Sequence, residues 1–194
     1  MNRSDQILTV ALEHFADKSY EGASLSGIAL QVGIKKASIY NHFNHKEELF
    51  LSVAKHVYRL YINEIERTLA NHHHLASKEK IFIITETMTD FLSNEEEGKF
   101  YMHFLLFPPL HLKDKVHEQF LQFEHECDQL LSPIFEEIAS TYEISHLSLR
   151  DLLDAFYCLL DGITSQMFYY HPDIALRKRQ TSLALFWTGV INTD

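Results

Sequence analysis

Apolar side chains recur at helical spacing along almost the whole chain, and this periodicity limits the fold more than any other feature. Near the N-terminus, Ile7, Ala11 and Phe15 follow one another at four-residue intervals, which places them on one face of a helix. The later apolar stretches keep the same period, and the sequence lacks alternating runs bounded by glycine-rich turns. The sequence therefore predicts an all-α protein of about nine helices.

Capping and turn residues divide this pattern into segments. Ser24 precedes the apolar positions of the second helix as its expected N-cap, and Gly33 ends that helix. Asn44 and His45 separate the third helix from a long fourth one. Apart from the helix between Ser24 and Gly33, the predicted helices cover residues 5–18, 36–43, 46–69, 77–92, 98–107, 113–142, 147–170 and 174–191.

Size and composition restrict the class of protein. With 194 residues, 46% of them hydrophobic, the chain can bury a sizeable core. No apolar run approaches the roughly 20 residues that a bilayer span requires, and the N-terminus has no apolar signal region. Cys127 and Cys158 lie outside any disulfide or zinc motif. We expect a soluble, cytoplasmic protein with no membrane segment.

The distribution of charge singles out one region near the N-terminus. The net charge of −10 argues against a protein that coats nucleic acid. Residues 1–50 carry only −1 of this charge, and residues 22–46 contain three lysines, two histidines and no acid. An acid-free window of this length marks a possible anion-facing surface, although a solvated face would give the same pattern.

The second and third helices, joined by the tight turn at residues 33–35, have the pattern of a helix-turn-helix motif. In such a motif the second helix enters the major groove, which is about 12 Å wide, and its outer face meets the base edges. Ile39 and Phe43 are four residues apart and share the inward face of the third helix. The opposite face then presents Ala37, Ser38 and Asn41.

Several groups of residues in this region resemble the DNA-binding domain of TetR-type (TetR/AcrR-like) transcriptional regulators. The resemblance covers about residues 5–55 and implies a homodimer whose N-terminal domains each read half of a near-palindromic double-stranded DNA operator. It also implies a small-molecule inducer, whose binding releases a repressor from that operator. The matching groups are Tyr20-Glu-Gly-Ala-Ser-Leu-Ser-Gly-Ile-Ala29, Val32-Gly-Ile34, Ser38-Ile-Tyr-Asn-His-Phe43 and Lys46-Glu-Glu-Leu49.

The resemblance assigns roles to individual residues of the motif. Ser24 matches the hydroxyl that contacts phosphate, and Lys46 matches the lysine that opens the fourth helix. Tyr40 and His42 match the tyrosine and histidine that approach phosphates. The positions that meet bases are Ala37, Ser38 and Asn41, of which Asn41 can pair with N6 and N7 of adenine.

Two positions depart from the family pattern. The family often has serine or threonine where Lys35 stands, as N-cap of the recognition helix, and glycine where Ala37 stands. A lysine cannot accept hydrogen bonds from the first-turn N–H groups, and it adds positive charge to a positive dipole end. DNA phosphate would offset both defects. We hypothesise that Lys35 and Lys36 contact the DNA backbone and that this helix tightens on binding.

The remainder of the chain is predicted to pair and regulate the DNA-binding domain. We assign residues 1–46 to that domain, with a linking helix at about 46–70, and residues 47–194 to an acidic helical body. Its last two helices carry more apolar surface than one chain usually needs, although part of that surface is core. They are expected to pack against their copies in a four-helix interface through Leu152, Phe156, Leu159, Ile163, Leu183, Phe186, Trp187 and Val190.

Aromatic and methionine side chains between the long helices are candidates for a ligand cavity, since such walls suit an apolar or flat molecule. For each residue alone, ordinary core packing is the alternative. If the ligand fits only when the fourth helix tilts, the recognition helices leave the roughly 34 Å separation of successive major grooves. The candidates are Phe82, Met88, Phe91, Tyr101, Phe104, Phe107, Phe120, Phe123, Tyr157 and Phe168.

Two other classes of function are alternatives to this interpretation. Thirteen histidines raise the alternative of a metal-responsive regulator, with candidate ligands at residues 72–74 and at His117, Glu124, His125 and Cys127. His117 and His125 lie about 80° apart around a helix, so the pair is a poor preformed metal site. Phosphate-binding glycine loops, nucleophile elbows and paired-cysteine motifs are missing from the sequence. We therefore expect no enzymatic activity, no cofactor and no metal.

Overall fold

The computed structural model describes residues 2–93 and 95–191, apart from the side chains of residues 95, 105 and 106. Within those ranges it contains nine α-helices, a 3-10 turn and no strand, which confirms the predicted all-α class. No helix in this part of the chain is both long and apolar enough to cross a bilayer. The elements are α1 (Arg3–Gly22), α2 (Leu25–Val32), α3 (Lys36–Ile39), α4 (Lys46–Asn71), α5 (Ser77–Leu92), α6 (Glu95–Leu106), the 3-10 turn (Leu110–Leu112), α7 (Lys113–Thr141), α8 (Leu149–Tyr169) and α9 (Pro172–Ile191).

The chain divides into two compact units. Unit 1 consists of Met1–Tyr61 and Asn94–Phe123, and unit 2 consists of Ile62–Ser93 and Glu124–Asp194. Along the sequence, α4 and α7 each pass from one unit into the other. The predicted boundary at residue 46 lies inside unit 1, at the first residue of α4. As a division between DNA-binding and regulatory functions, that boundary stays a prediction.

Aromatic rings hold unit 1 together. Helix α1 packs against α2 and α6, and α2 packs against α3. The ring of Phe15 in α1 meets the ring of Phe50 in α4 edge to face, with the centroids 5.0 Å apart. Phe50 also contacts Phe100 and Phe104 of α6 at 5.5 and 5.6 Å. Burying each of these rings stabilises the fold by roughly 1.5–3 kcal/mol, so Phe50 is a central core residue of unit 1.

Unit 2 combines an apolar core with one buried guanidinium. Helix α8 packs against α9 and α5, and the ring of Phe156 in α8 contacts Phe135 of α7 at 5.4 Å. Arg179 of α9 is buried and pairs with Glu86 and Asp90 of α5 at 3.0 and 2.5 Å. Because an unpaired buried charge is costly, these two ion pairs offset the burial of the guanidinium and link α9 to α5.

In the helix-turn-helix, the observed ends of α2 match the predicted ends, whereas α3 ends earlier than predicted. Ser24 is the N-cap of α2, as predicted, and Gly33 ends α2 with a left-handed φ of 74°. α3 ends at Ile39 rather than at Phe43, and residues 40–42 form turns. There the amide of Asn41 donates to the Ser38 carbonyl, and the amide of His42 donates to the Ile39 carbonyl, at 3.3 and 2.9 Å. These three-residue bonds tighten the chain beyond a regular α-helix.

The last turn of α1 contains a kink that the sequence analysis did not predict. Ser19 has φ 59° and ψ 178°, a backbone conformation that is essentially restricted to glycine and costs on the order of 1–3 kcal/mol. Directly after it, Tyr20 packs edge to face on Phe50, with the centroids 5.0 Å apart. The kink therefore lies directly before Tyr20, whose ring packs on the core of unit 1.

Replacement of Ser19 by glycine is expected to relieve this strain. Ser19→Gly should raise the free energy of unfolding by about 1 kcal/mol, since the released strain exceeds the added entropy of the unfolded chain. Urea unfolding followed by circular dichroism measures the change. Ser19→Ala is the control and should give no gain, because alanine does not favour a positive φ. An unchanged urea midpoint for Ser19→Gly would show that the kink carries no strain.

Candidate functional site

One face of the helix-turn-helix presents most of the predicted DNA-contacting residues to solvent. Lys35, Lys36, Ala37, Asn41 and His42 are exposed. Tyr40 is also exposed, at 47%, whereas Ser38 is half-buried. The inward residues Ile39 and Phe43 are buried, as their spacing predicts. The structure thus places the predicted base-facing and phosphate-facing residues around one short element.

The N-terminus of α3 has no side-chain cap. Lys35 occupies the N-cap position with an extended backbone (φ −73°, ψ 144°), and its side chain makes no capping hydrogen bond within the described chain. The Ser38 amide donates instead to the Lys35 carbonyl at 2.8 Å. Two lysines therefore flank a helix end whose N–H groups lack a side-chain acceptor, which is an arrangement that favours an anion.

Ser24 is exposed at the N-terminus of α2, where its hydroxyl oxygen accepts a hydrogen bond from the Gly27 amide at 3.1 Å. Its O–H group can still donate outward. Gly27 is needed at this point because α1 approaches closely: a Cβ at Gly27 would lie 3.0 Å from Cε1 of His14 and 3.2 Å from Oγ of Ser24. The cap is therefore held in place by the packing of α2 against α1.

Hydrogen bonds also order the turn into α4. The backbone amide and the side-chain amide of Asn44 both donate to Oε2 of Glu48 at 2.8 Å. These two bonds lower the pKa of Glu48 from its usual value. The amide of Glu48 donates in turn to Nδ1 of His45 at 3.2 Å. Lys46 is half-buried at the first position of α4, beside the end of α1.

Four of the predicted ligand residues lie together in unit 1. The rings of Tyr101, Phe104, Phe120 and Phe123 belong to one aromatic cluster, in which Phe120 contacts Phe123 at 6.2 Å. Two tyrosines of α4 that were missed, Tyr58 and Tyr61, complete this cluster. Their three-residue spacing on one helix face was a signal that could have found them. Phe107 also belongs to unit 1, but it is 78% exposed and lies outside the cluster.

Tyr58 places a buried hydroxyl group in this cluster. Its ring stacks on Phe123 with the centroids 4.3 Å apart, and only 5% of the residue is exposed. Its hydroxyl has no hydrogen-bond partner among the described residues, and burial raises its pKa well above the usual value. A buried phenol normally finds a partner, and leaving one unpaired costs about 1–3 kcal/mol. The Tyr58 hydroxyl is therefore a buried polar group that the described residues leave without a partner.

The other five predicted ligand residues belong to unit 2 and have different surroundings. Met88 is buried, whereas Phe82 and Phe91 are half-buried. The hydroxyl of Tyr157 donates to Asp128 at 2.8 Å, and Phe168 is 45% exposed. Phe82 lines a surface groove between α5 and α9 with Leu176, Arg179 and Leu183. In unit 2 the predicted residues are therefore spread over core, groove and surface.

Most of the predicted dimer residues are covered by the chain's own side chains. Leu159 and Phe186 are half-buried, and the other six are buried within unit 2. Their apolar periodicity reflects the packing of α8 on α9 and α5, so their part in a dimer stays a prediction. The buried residues are Leu152, Phe156, Ile163, Leu183, Trp187 and Val190.

The alternative of a metal-responsive protein gains no support from the described residues. Nowhere in residues 2–93 and 95–191 do three or more histidine, cysteine or acidic side chains come together in a way that could hold a metal ion. His125 instead contacts Gln129 on its own helix at 3.1 Å, and Cys127 is buried, which raises the pKa of its thiol. A raised thiol pKa disfavours the thiolate that binds metal.

An exposed lysine-flanked recognition helix, attached to an all-α body, defines the class of a DNA-binding transcriptional regulator. Comparison with known proteins agrees. A family model described as "Bacterial regulatory proteins, tetR family" matches residues 7–53. The resemblance to TetR-type regulators is thus confirmed for this part of the chain. The matched residues include α2, α3 and the first turns of α4.

Two curated relatives are regulators of transcription. The chain is 25% identical over 147 residues to IcaR, the HTH-type negative transcriptional regulator of the biofilm operon icaADBC in Staphylococcus epidermidis, covering 75% of this chain and 72% of the relative. It is 30% identical over 99 residues to the HTH-type transcriptional activator FasR of Mycolicibacterium smegmatis. That match covers 50% of this chain and 43% of FasR, so it spans less than half of the relative.

Solved structures share the fold over nearly the whole chain. The transcriptional regulator FadR from Bacillus subtilis, solved in complex with stearoyl-CoA, has a TM-score of 0.77 at 22% identity and covers 96% of this chain and 98% of its own. The fatty acid degradation regulator FadR from Bacillus halodurans has a TM-score of 0.76 at 18% identity, covering 94% and 95%. At these identities the likeness shows the fold alone.

The uncapped start of α3 leads to a prediction about amide exchange. Backbone amides of residues 36–42 should exchange more slowly when the protein is bound to an operator duplex, because phosphate satisfies the first-turn N–H groups. Hydrogen exchange with and without the duplex measures the difference.

The matched control supplies the missing cap. In Lys35→Ser the free protein should already exchange about fivefold more slowly at these amides, since a serine cap stabilises a helix by about 1 kcal/mol. DNA should then add less protection than in the unaltered chain. Unchanged exchange of residues 36–42 on DNA binding would contradict the hypothesis that α3 tightens.

Proposed function

We propose that the protein is a homodimeric, ligand-responsive repressor that binds a near-palindromic operator and is released by a small apolar or aromatic molecule. The observation that carries this proposal is the exposure of Lys35, Lys36, Ala37 and Asn41 in and around α3. Ala37, Ser38 and Asn41 are proposed to face the bases, and Lys35 and Lys36 to face phosphate. Ser24, Tyr40, His42 and Lys46 are proposed to contact the DNA backbone around α3. Base contacts give sequence preference, and phosphate contacts give most of the salt-dependent affinity.

Repression is the direction that the match to IcaR supports. IcaR is a negative regulator and matches three quarters of this chain, whereas FasR, an activator, matches half. A reporter promoter that carries the bound duplex distinguishes a repressor from an activator. A repressor lowers transcription from that promoter, and an activator raises it. The regulated promoter is found by selecting bound duplexes from a random pool.

The proposed dimer face is the side of α8 and α9 that remains exposed. Gly162 and Gly189 each have open space beside them: among the described atoms, nothing lies within 4 Å of an added Cβ. Leu185 is 68% exposed and lies three residues from Ser182, which shares a surface groove with Gly162. Small residues on both helices permit close approach of a second copy, and Leu185 supplies apolar area that a dimer would bury.

A charge on this face should separate the dimer and abolish specific DNA binding. In Leu185→Glu we expect a monomer in light-scattering measurements and at least a hundredfold loss of operator affinity, because both half-sites must be bound together. The matched control is Leu176→Glu, which changes another exposed leucine of α9 (44% exposed). Leu176 precedes Leu185 by nine residues and therefore lies on the opposite side of the helix. The control should remain dimeric and bind DNA.

Two results would contradict this proposal. A Leu185→Glu protein that stays dimeric would show that the interface lies elsewhere. Selection that yields no preferred duplex for the unaltered protein at moderate salt would remove the proposed function itself.

The proposed ligand contact is the aromatic cluster around Tyr58. Rings of Tyr101, Phe104 and Phe123 surround Tyr58 and suit an apolar or flat molecule. The unpartnered hydroxyl can donate one hydrogen bond, so the ligand carries an acceptor such as a carbonyl or ether oxygen. Insertion of a ligand requires these rings to separate, and the resulting displacement of α4 would act on the operator-binding end of the same helix. By reciprocity, DNA lowers ligand affinity by the same factor.

Removal of the Tyr58 hydroxyl should leave the protein stable while weakening its response to ligand. For Tyr58→Phe we expect the free energy of unfolding to stay constant or rise by about 1 kcal/mol, because an unpaired buried hydroxyl is removed. The concentration of compound that releases DNA should rise about five- to tenfold, the equivalent of one lost hydrogen bond. Fluorescence anisotropy of a labelled operator measures release.

Stearoyl-CoA is the first probe, because FadR from Bacillus subtilis was solved with it, and flat aromatic ketones form a second set. Tyr142→Phe is the control, since that tyrosine is exposed and lies in unit 2. Equal responses of Tyr58→Phe and the unaltered chain to every releasing compound would place the ligand away from Tyr58.

A further inference from the structure

Tyr20 occupies a fixed position at the end of α1. Its ring packs edge to face on Phe50 at 5.0 Å and lies nearly parallel to Phe15 at 6.2 Å, so two core rings of unit 1 set its orientation. The strained backbone of Ser19 immediately precedes it. Such strain persists only where the surrounding packing determines the conformation, and it is common at functional positions.

The Tyr20 ring also supports a lysine. Nζ of Lys46 lies 4.5 Å from the centroid of the Tyr20 ring and donates a hydrogen bond to the backbone carbonyl of Glu21 at 3.4 Å. A cation over an aromatic face is attracted by the negative charge density of the ring. Desolvation lowers the pKa of Lys46, and the nearby charge of Glu21 opposes that shift. The ammonium group therefore has a defined place before any DNA is bound.

The acid next to Lys46 is engaged by other partners. Glu47 lies 3.6 Å from Nε2 of His111 and 3.6 Å from Nζ of Lys115, and the His111 ring also contacts Tyr20 at 5.2 Å. His111 and Lys115 thus engage the Glu47 carboxylate. The Lys46 ammonium has the Tyr20 ring, the Glu21 carbonyl and the nearby charge of Glu21 as neighbours, and the ring and the carbonyl are weaker partners than a DNA phosphate.

We propose that Tyr20 is a positioning residue for DNA binding, whose ring holds the Lys46 ammonium where a backbone phosphate can meet it. The inference rests on the proposed function, in which Lys46 contacts phosphate. Ordering a free lysine side chain costs conformational entropy, and a lysine already held in place avoids part of that cost on binding. Tyr20 acts through Lys46 and does not itself touch the DNA.

A double-mutant cycle tests this role with a labelled duplex from the selection. Tyr20→Leu should weaken binding about three- to tenfold, whereas Tyr20→Phe, which keeps the ring, should bind like the unaltered chain. In a Lys46→Met background, Tyr20→Leu should have no further effect. In a Lys35→Met background, where a different lysine of the same face is missing, Tyr20→Leu should keep its full effect.

The salt dependence separates positioning from loss of a contact. Lys46→Met should reduce the slope of log affinity against log salt by about one, the equivalent of one phosphate contact. Tyr20→Leu should lower affinity while changing this slope less, because the lysine charge remains. Thermal unfolding monitors whether each variant is folded.

A measurement on the protein with Tyr20 in place covers the case in which Tyr20→Leu fails to fold. After reductive 13C-methylation, the Lys46 signal should lie upfield of the Lys35 and Lys36 signals, because it sits over an aromatic ring. It should be assigned with Lys46→Arg. A Lys46 signal at the same position as the other two would overturn the inference.

The outcomes distinguish this inference from the proposed function. If Tyr20→Leu weakens binding equally in the Lys46→Met and Lys35→Met backgrounds, the ring has only a structural role and the inference fails. If Lys46→Met changes neither affinity nor salt slope while duplex selectivity persists, the inference also fails but the proposed function stands. Only a protein without duplex preference removes the proposed function.

Discussion

The edge-to-face contact between Phe15 and Phe50 is the interaction on which the rest of unit 1 depends. It joins α1, against which α2 packs, to α4, whose first residue is Lys46. Tyr20 packs on the same Phe50 ring. Because the recognition element has only a four-residue helix of its own, its position relative to α4 is set by these rings rather than by α3 itself.

The same helix carries the cluster that is proposed to bind ligand. Tyr58 follows Phe50 by eight residues, and both belong to the buried side of α4 within unit 1. The rings of α6 contact both positions, since Phe104 meets Phe50 at 5.6 Å and Tyr58 at 5.9 Å. Close-packed interiors transmit displacement instead of absorbing it. A change at Tyr58 therefore has a short, packed route to the end of α4 that is proposed to face DNA.

Local chemistry explains which parts of the fold could be predicted. Ser24 as a cap and Gly33 as a stop depend on single residues with strong conformational preferences, and both were found from the sequence. The kink at Ser19 could not be found, because serine gives no sign of a conformation that glycine prefers. The early end of α3 also escaped prediction, since the spacing of Ile39 and Phe43 fits a helix as well as a tight turn.

The sequence by itself determined the helices, the recognition motif and the residues on its outer face, because these follow from periodicity and from caps within a few residues. Only the tertiary structure decided which apolar faces are covered. Leu152, Phe156 and Trp187 look like interface residues by pattern and are core residues by packing. It likewise decided that Tyr58 joins Tyr101 and Phe123, and that its hydroxyl lacks a partner among the described residues. Periodicity indicates that one face of a helix is apolar, but which residues cover that face depends on parts of the chain that are distant in sequence.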